Sequence, residues 1–192
     1  IELKGLELIF FDKVSLNGIL ILDKKNNTLF SAKSILITIE DFNLAKNSFD
    51  IGKLELRDGS IYMNRDKLDG TYNYAFLVDY FSSDSEKKQS KKLILNANSM
   101  RISNFSFRYD DFRVKPKKYG LDFSHLKLRN FGIYLSDFSF KDDKINLKVK
   151  DFNFDEQSGF KLSKLNSNVQ VASHGIRLSK FQLISSESNL KA

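Results

Sequence analysis

At 192 residues the chain is long enough for one large domain or for a piece of something longer. It is 41% hydrophobic and 29% charged, a balance that excludes intrinsic disorder. Its 31 basic and 24 acidic residues leave a net charge of +7, but the two signs interleave, and the lysine clusters at 87–92 and 115–118 read as solvated loops rather than a nucleic-acid surface.

Residues 1 to 22 read as strands. Leu3, Leu6, Leu8, Ile9, Phe10 and Phe11 lead to a turn around Asp12-Lys13, and Val14 to Leu16 then runs through Gly18 into Ile19 to Leu22, which is apolar on both faces. Asp23 to Asn27 is a polar hairpin tip, and Leu29, Phe30 and Ala32 begin the return. Ile35, Ile37 and Ile39 then alternate with period two, the signature of a strand.

The stretch Ile39 to Leu44 comes back. Its form is apolar, any, Asp/Asn, Phe, any, apolar, and it recurs at Leu56–Ile61, Ile102–Phe107, Leu128–Ile133, Val149–Phe154 and Leu178–Leu183. Position three is Asp41, Asp58, Asn104, Asn130 or Asp151, with Lys180 in the last copy; position four is Phe except at Gly59. Each copy reverses the parity of the apolar residues. Met100 and Ile102 give way to Phe105, Phe107 and Tyr109; Leu126 and Leu128 give way to Phe131, Ile133 and Leu135. In a plain strand a one-residue slip turns every later side chain to the wrong face. A bulge or corner absorbs the slip, and Asp and Asn suit it because they tolerate the left-handed conformation. The motif therefore predicts strand corners at Asp41, Asp58, Asn104, Asn130 and Asp151, aligned as one crease across an antiparallel sheet.

Tyr74, Leu77, Val78 and Phe81 have helical spacing, and Asn73 is an N-cap candidate, so a short helix is expected near 73–81. Residues 82–92 contain only Ser, Lys, Asp, Glu and Gln and read as an exposed loop inside one continuous domain, 1–192.

No catalytic signature is present. His125 and His174 each stand at the entry to an apolar segment with no Asp-His or Glu-His motif spacing and read as surface or edge residues; without Cys, thiolate metal sites are excluded, and neither a metal nor a cofactor is expected. The carboxylate pairs Asp110-Asp111, Asp142-Asp143 and Asp155-Glu156 could serve a glycosidase only if they converged, and turns are their ordinary place. No apolar run approaches the ~20 residues of a membrane helix. The first residue is Ile1, not Met, so the chain is expected to be processed, trimmed or a piece of a larger one.

Several stretches in order carry a family resemblance: Val14–Asp23 with Leu29–Ile39, Leu54–Asn64, Asp69–Asn73, Asp122–Leu128, Ser158–Leu162 and Leu183–Leu190. In them the chain resembles the TamB (translocation and assembly module) family of the AsmA-like superfamily, in its Bacteroidota form. The resemblance implies an extended, strongly curved β-sheet, a taco-like groove lined with apolar side chains. It implies a periplasmic protein anchored in the inner membrane by an N-terminal helix that lies outside this chain. It further implies phospholipid as cargo, conducted towards the outer membrane, and an Omp85-type outer-membrane partner met through regions outside this chain. The family carries no catalytic residues, so no enzymatic activity is expected.

The expected fold is thus all-β, a curved sheet with repeated corners and one short helix. The residues expected to line the groove are Phe42, Phe105, Phe107, Phe131, Ile133, Phe152 and Phe181. The alternative is a chaperone-like scaffold that holds unfolded outer-membrane strands by β-augmentation.

Overall fold

The computed structural model describes residues 2–83 and 93–191. Long runs of period-two alternation become ten strands: β1 (Glu2–Phe10), β2 (Lys13–Leu22), β3 (Thr28–Asn43), β4 (Ser48–Arg65), β5 (Ile94–Asp111), β6 (His125–Lys141), β7 (Lys144–Glu156), β8 (Lys161–Ala172), β9 (Gly175–Ser185) and β10 (Asn189–Lys191). They hydrogen-bond in chain order into one sheet that does not close on itself. Among the described residues a single helix, α1 (Ala75–Ser83), lies between β4 and β5. Among the described residues no helix is long and apolar enough to cross a membrane.

The antiparallel sheet and the Asn73 cap need correction, and the expected short helix is present with shifted bounds. The sheet is mixed, because β4 and β5 pair in parallel, from Ser48↔Ile94 to Arg65↔Asp111. A parallel pair needs a long crossover, and residues 66–93, α1 included, return the chain to the other end of the sheet. The helix starts and ends two residues later than the 73–81 expected. Asn73 does not cap it: its side-chain oxygen accepts the Asn64 N–H at 3.0 Å, and its amide donates to the Tyr62 carbonyl at 3.0 Å. Of the expected loop at 82–92, Ser82 and Ser83 are helical, and 84–92 lies outside the described residues.

The corners are real, but they fall on two lines. Asp58, Asn104, Asn130, Asp151 and Lys180 all have φ between 51° and 55°, the left-handed region, inside otherwise extended strands. Register places Lys4, Gly18, Lys33, Asp58 and Asn104 opposite one another across β1 to β5. The line continues through bulges at Asn130 in β6, Asp151 in β7 and Lys180 in β9. Gly18 (φ 62°) serves β2 as Asp and Asn serve β4 to β7. At each crossing the apolar parity changes, so Val14 and Leu16 give way to Ile19 and Ile21, and Ala32 gives way to Ile35.

Asp41 is not on this line and is not left-handed. It borders a second crease, about 20 Å along the strands from the first. Here Gly52, Asn98 and Asp137 (φ 55°) fall opposite one another, and Glu40 is the residue skipped in β3. The Asn98 amide reaches across Gly52 to both oxygens of Glu40, at 2.9 Å each. The string Leu135 to Phe140 satisfies the same motif around Asp137, a signal the six-copy reading omits.

Polar bonds hold the main crease. Asn104 donates to the Asp58 carboxylate in the neighbouring strand. Asn130 donates to Asp155 at 2.7 Å, and the Asp151 N–H donates to the Asn166 side chain at 3.0 Å. Gly59, the exception to the Phe rule, is explained by its neighbour: a Cβ there would stand 2.5 Å from Phe105 Cζ and 2.2 Å from the Ser31 carbonyl oxygen. Phe105 covers Gly59 and meets Phe30 at 6.2 Å between centroids, although β3 and β5 would lie about 9.6 Å apart in a flat sheet.

The core is one-sided. Ile19, Leu29, Ala32, Ala97, Phe105, Leu128 and Leu162 are the buried apolar side chains among the described residues; most others on the same face are half-exposed. Accessible surface totals 13114 Å², where a compact monomer of this 22.2 kDa mass would keep about 9,400 Å².

Crease chemistry is open to direct measurement. Lys180→Asn is expected to raise stability by about 0.5–1 kcal/mol, because Lys carries a left-handed cost that Asn largely escapes. Asn104→Val is expected to lower it by about 2 kcal/mol or more, since a β-branched residue rejects that conformation and Asp58 loses its donor. Both are read from urea midpoints; unchanged midpoints would contradict the crease account.

Candidate functional site

Because every crease preserves the face, apolar side chains run without a break across the sheet. Leu8↔Val14↔Ile37↔Leu54↔Met100↔Leu135↔Val149 is one such row in register. Phe30↔Ile61↔Phe107↔Leu128 is another, on the far side of the main crease.

The Phe residues that follow the crease form a belt beside it. Phe105 stands in register with Phe131. Phe131 meets Phe152 edge-on at 5.5 Å between ring centroids, Phe152 meets Phe154 at 5.4 Å, and Phe154 meets Phe160 at 6.1 Å. With Phe30 at its near end, the belt reaches from β3 to the β7–β8 turn. Ile133 pairs with Ile102, and Phe107 with Ile61 and Leu128. Phe181 continues on β9, where the Lys180 bulge returns it to the side of Leu178 and Leu183.

The expected lining residues therefore share one face, with two differences of role. Phe105 is 2% exposed and forms the floor over Gly59, so it is packed rather than accessible. Phe42 is 50% exposed beside the second crease, its ring 4.9 Å from Phe49. Phe107, Phe131, Ile133, Phe152 and Phe181 are half-buried, as the wall of an uncovered face would be. Phe30, Phe49 and Phe160 join the face without any motif position announcing them, and Phe154 joins it as the closing apolar position of its motif copy.

The opposite face is polar. On β7 it carries Lys144, Asn146, Lys148 and Lys150; on β4 it carries Glu55, bridged by Lys53 at 2.8 Å and Arg57 at 2.9 Å. Where β5 ends and β6 begins, this face holds a buried charged cluster. His125, 7% exposed, is no edge residue. Its Nε2 stands 2.8 Å from the Val114 carbonyl oxygen and its Nδ1 3.1 Å from Asp110 Oδ1. Two acceptors facing two ring nitrogens call for a proton on each, the imidazolium form. Burial lowers the imidazole pKa, but the bond to Val114, the bond to Asp110 and the charges of Asp122 and Asp110 outweigh it and hold the pKa above the ordinary 6.5. Asp110 also accepts from Arg108 Nε at 2.5 Å. Asp111 takes both ends of the Arg113 guanidinium, at 2.9 and 2.7 Å, which with the Arg113 N–H overcomes burial and lowers its pKa to about 2.

The carboxylate pairs do not converge. Asp110 and Asp111 end β5 beside the start of β6, whereas Asp142 and Asp143 form the turn at the far end of β6, on the order of 50 Å away along the strand. Glu156 closes the turn after β7, accepting from the Ser158 N–H at 2.7 Å.

No protein-family model matches the chain, and no curated protein matches it.

The His125 geometry carries a pH dependence. Asp110 and Asp122 favour the charged ring, while Arg108, Lys115 and Lys127, which share its cleft, oppose it. A folded pKa above the unfolded value means stability that is fully present below about 6.5 and lost as pH rises through the folded pKa. The ¹⁵N or ¹H signals of His125 should titrate above 6.5, and His125→Asn should remove the decline in stability on the alkaline side. A midpoint below 6.5 would contradict this assignment.

Proposed function

We propose that the apolar face shields lipid acyl chains. The chain would be a segment of a periplasm-spanning protein that conducts phospholipids towards the outer membrane, anchored in the inner membrane and meeting an Omp85-type partner through regions outside it. The supporting observation is the apolar face, uncovered among the described residues and continuous over β1 to β9 because each crease restores its side. Monomers seldom expose more than about 300–600 Å² of contiguous apolar surface without a use.

Chemistry fits the cargo. An acyl chain of ~15 carbons, at ~0.8 kcal/mol per CH₂, needs on the order of 12 kcal/mol of shielding to cross water. Rows of Phe, Ile, Leu and Val offer that shielding without polar contacts that would fix a lipid in one place. The near-uniform belt from Phe30 to Phe160 gives a path with no deep trap. The lysine-rich reverse face keeps the protein in water while its other face stays apolar.

Photo-crosslinking residues placed at Phe131 and Phe152, and at Ser139 and Lys150 on the polar face, test this reading by mass spectrometry of the adducts from cell envelopes. Phospholipid adducts are expected from the first pair and not from the second. Equal capture from both faces, or none, would overturn it, and peptide adducts from Phe131 and Phe152 would instead favour the scaffold that holds unfolded strands.

A further inference from the structure

The polar face carries a second candidate site, unrelated to the apolar belt. Where β5 passes into β6, the segment Val114 to Pro116 is strapped over the sheet by the His125 bond to the Val114 carbonyl. Beneath it opens a cleft of about 500 Å³, lined by Lys67, Arg108, Arg113, Lys115, Lys127 and His125, with Asp110 the one carboxylate among its walls. A second cleft of about 460 Å³ shares Arg108, Lys127 and Gln157 and adds Arg129.

The charges here do not cancel. Arg108 and His125 are taken by Asp110, and Arg113 by Asp111. Asp122, the third carboxylate of the cluster, is taken by the backbone N–H groups of Lys117 and Ser124, at 2.8 and 3.0 Å. That leaves Lys67, Lys115 and Lys127 without a carboxylate partner among the described residues. They come from three separate segments: the loop after β4, the strap, and β6. Ammonium groups on a surface normally spread apart. Three that line one cleft, each with donors and no acceptor, are complementary to a compact anion with several acceptor oxygens. The volume falls in the range of small-ligand sites.

We propose that this cleft binds a phosphate-type anion, a phosphomonoester or phosphodiester, held by Lys67, Lys115 and Lys127 under the Val114–Pro116 strap. The site stands on the polar face and does not depend on the lipid reading of the other face. A chain whose apolar face captured nothing would still carry it.

The test is an amide chemical-shift titration of the whole chain at low ionic strength with two probes: inorganic phosphate, and glycerophosphoglycerol as a water-soluble phosphodiester headgroup. Saturable shifts are expected at residues 113–115 and 125–127. The triple variant Lys67→Gln, Lys115→Gln, Lys127→Gln should weaken binding at least tenfold. A control that removes the same charge elsewhere, Lys46→Gln, Lys141→Gln, Lys191→Gln, should leave it nearly unchanged. All these side chains are exposed, and a retained low-field His125 signal checks that the strap is still in place. Saturation by phosphate alone supports the site and assigns it to free phosphate or a monoester. Saturation by the diester supports it as a headgroup site. Shifts that grow linearly without saturating, or equal weakening by both triples, would overturn the proposal.

Discussion

A β-strand alternates its side chains between two faces, so a strand can bend sharply and keep one face apolar only by absorbing an extra residue at the bend. Everything else in this sheet depends on that constraint. In β2, β4 to β7 and β9 that residue takes the left-handed conformation, which is why Asp58, Asn104, Asn130 and Asp151 are Asp or Asn and Gly18 is Gly; Lys4 and Lys33, on the same line in β1 and β3, do not take it. Their polar side chains then bond across the crease, as Asn104 does to Asp58, so that a local irregularity in each strand becomes a feature shared by neighbours.

This arrangement separates chemistry by face. One side of the sheet gathers Phe, Ile, Leu and Val into rows in register, with Phe105 set over Gly59 as the most enclosed point. The other side carries the ion pairs, the buried His125 cluster and most of the lysines. Few side chains are fully buried, so stability must come largely from the long ladder of strand pairing and from half-buried apolar rows rather than from a closed core. A second layer packed on the apolar face would add burial, but it would remove the accessible surface on which the proposed function rests.

The sequence disclosed much of this, because period-two alternation and its reversals are properties of the string itself. The all-β class, the long strands, the left-handed corners at four of five positions and the short helix could all be read from it. Asp41 misled because its motif is the same as the others while its place in the register differs; which copies align is decided by pairing between strands, and no single strand contains that information. The parallel β4–β5 pair was hidden for the same reason. His125 was misjudged because its partners, Asp110 and Val114, are brought to it by the fold and not by spacing. The lysine cluster at 115–118 read as solvated, and only the folded chain sets Lys115 beside Lys67 and Lys127.

The central claim is that the side chains change parity but not face at a crease. The chain has no cysteine, so single substitutions along β5 can report it without background. Cysteines placed one at a time from Met100→Cys to Tyr109→Cys, omitting Asn104, and labelled with an environment-sensitive fluorophore should give the apolar spectrum at 100, 102, 105, 107 and 109, and the aqueous one at 101, 103, 106 and 108. Parity would then invert across Asn104. A scan that keeps the same parity on both sides of Asn104 would contradict the account.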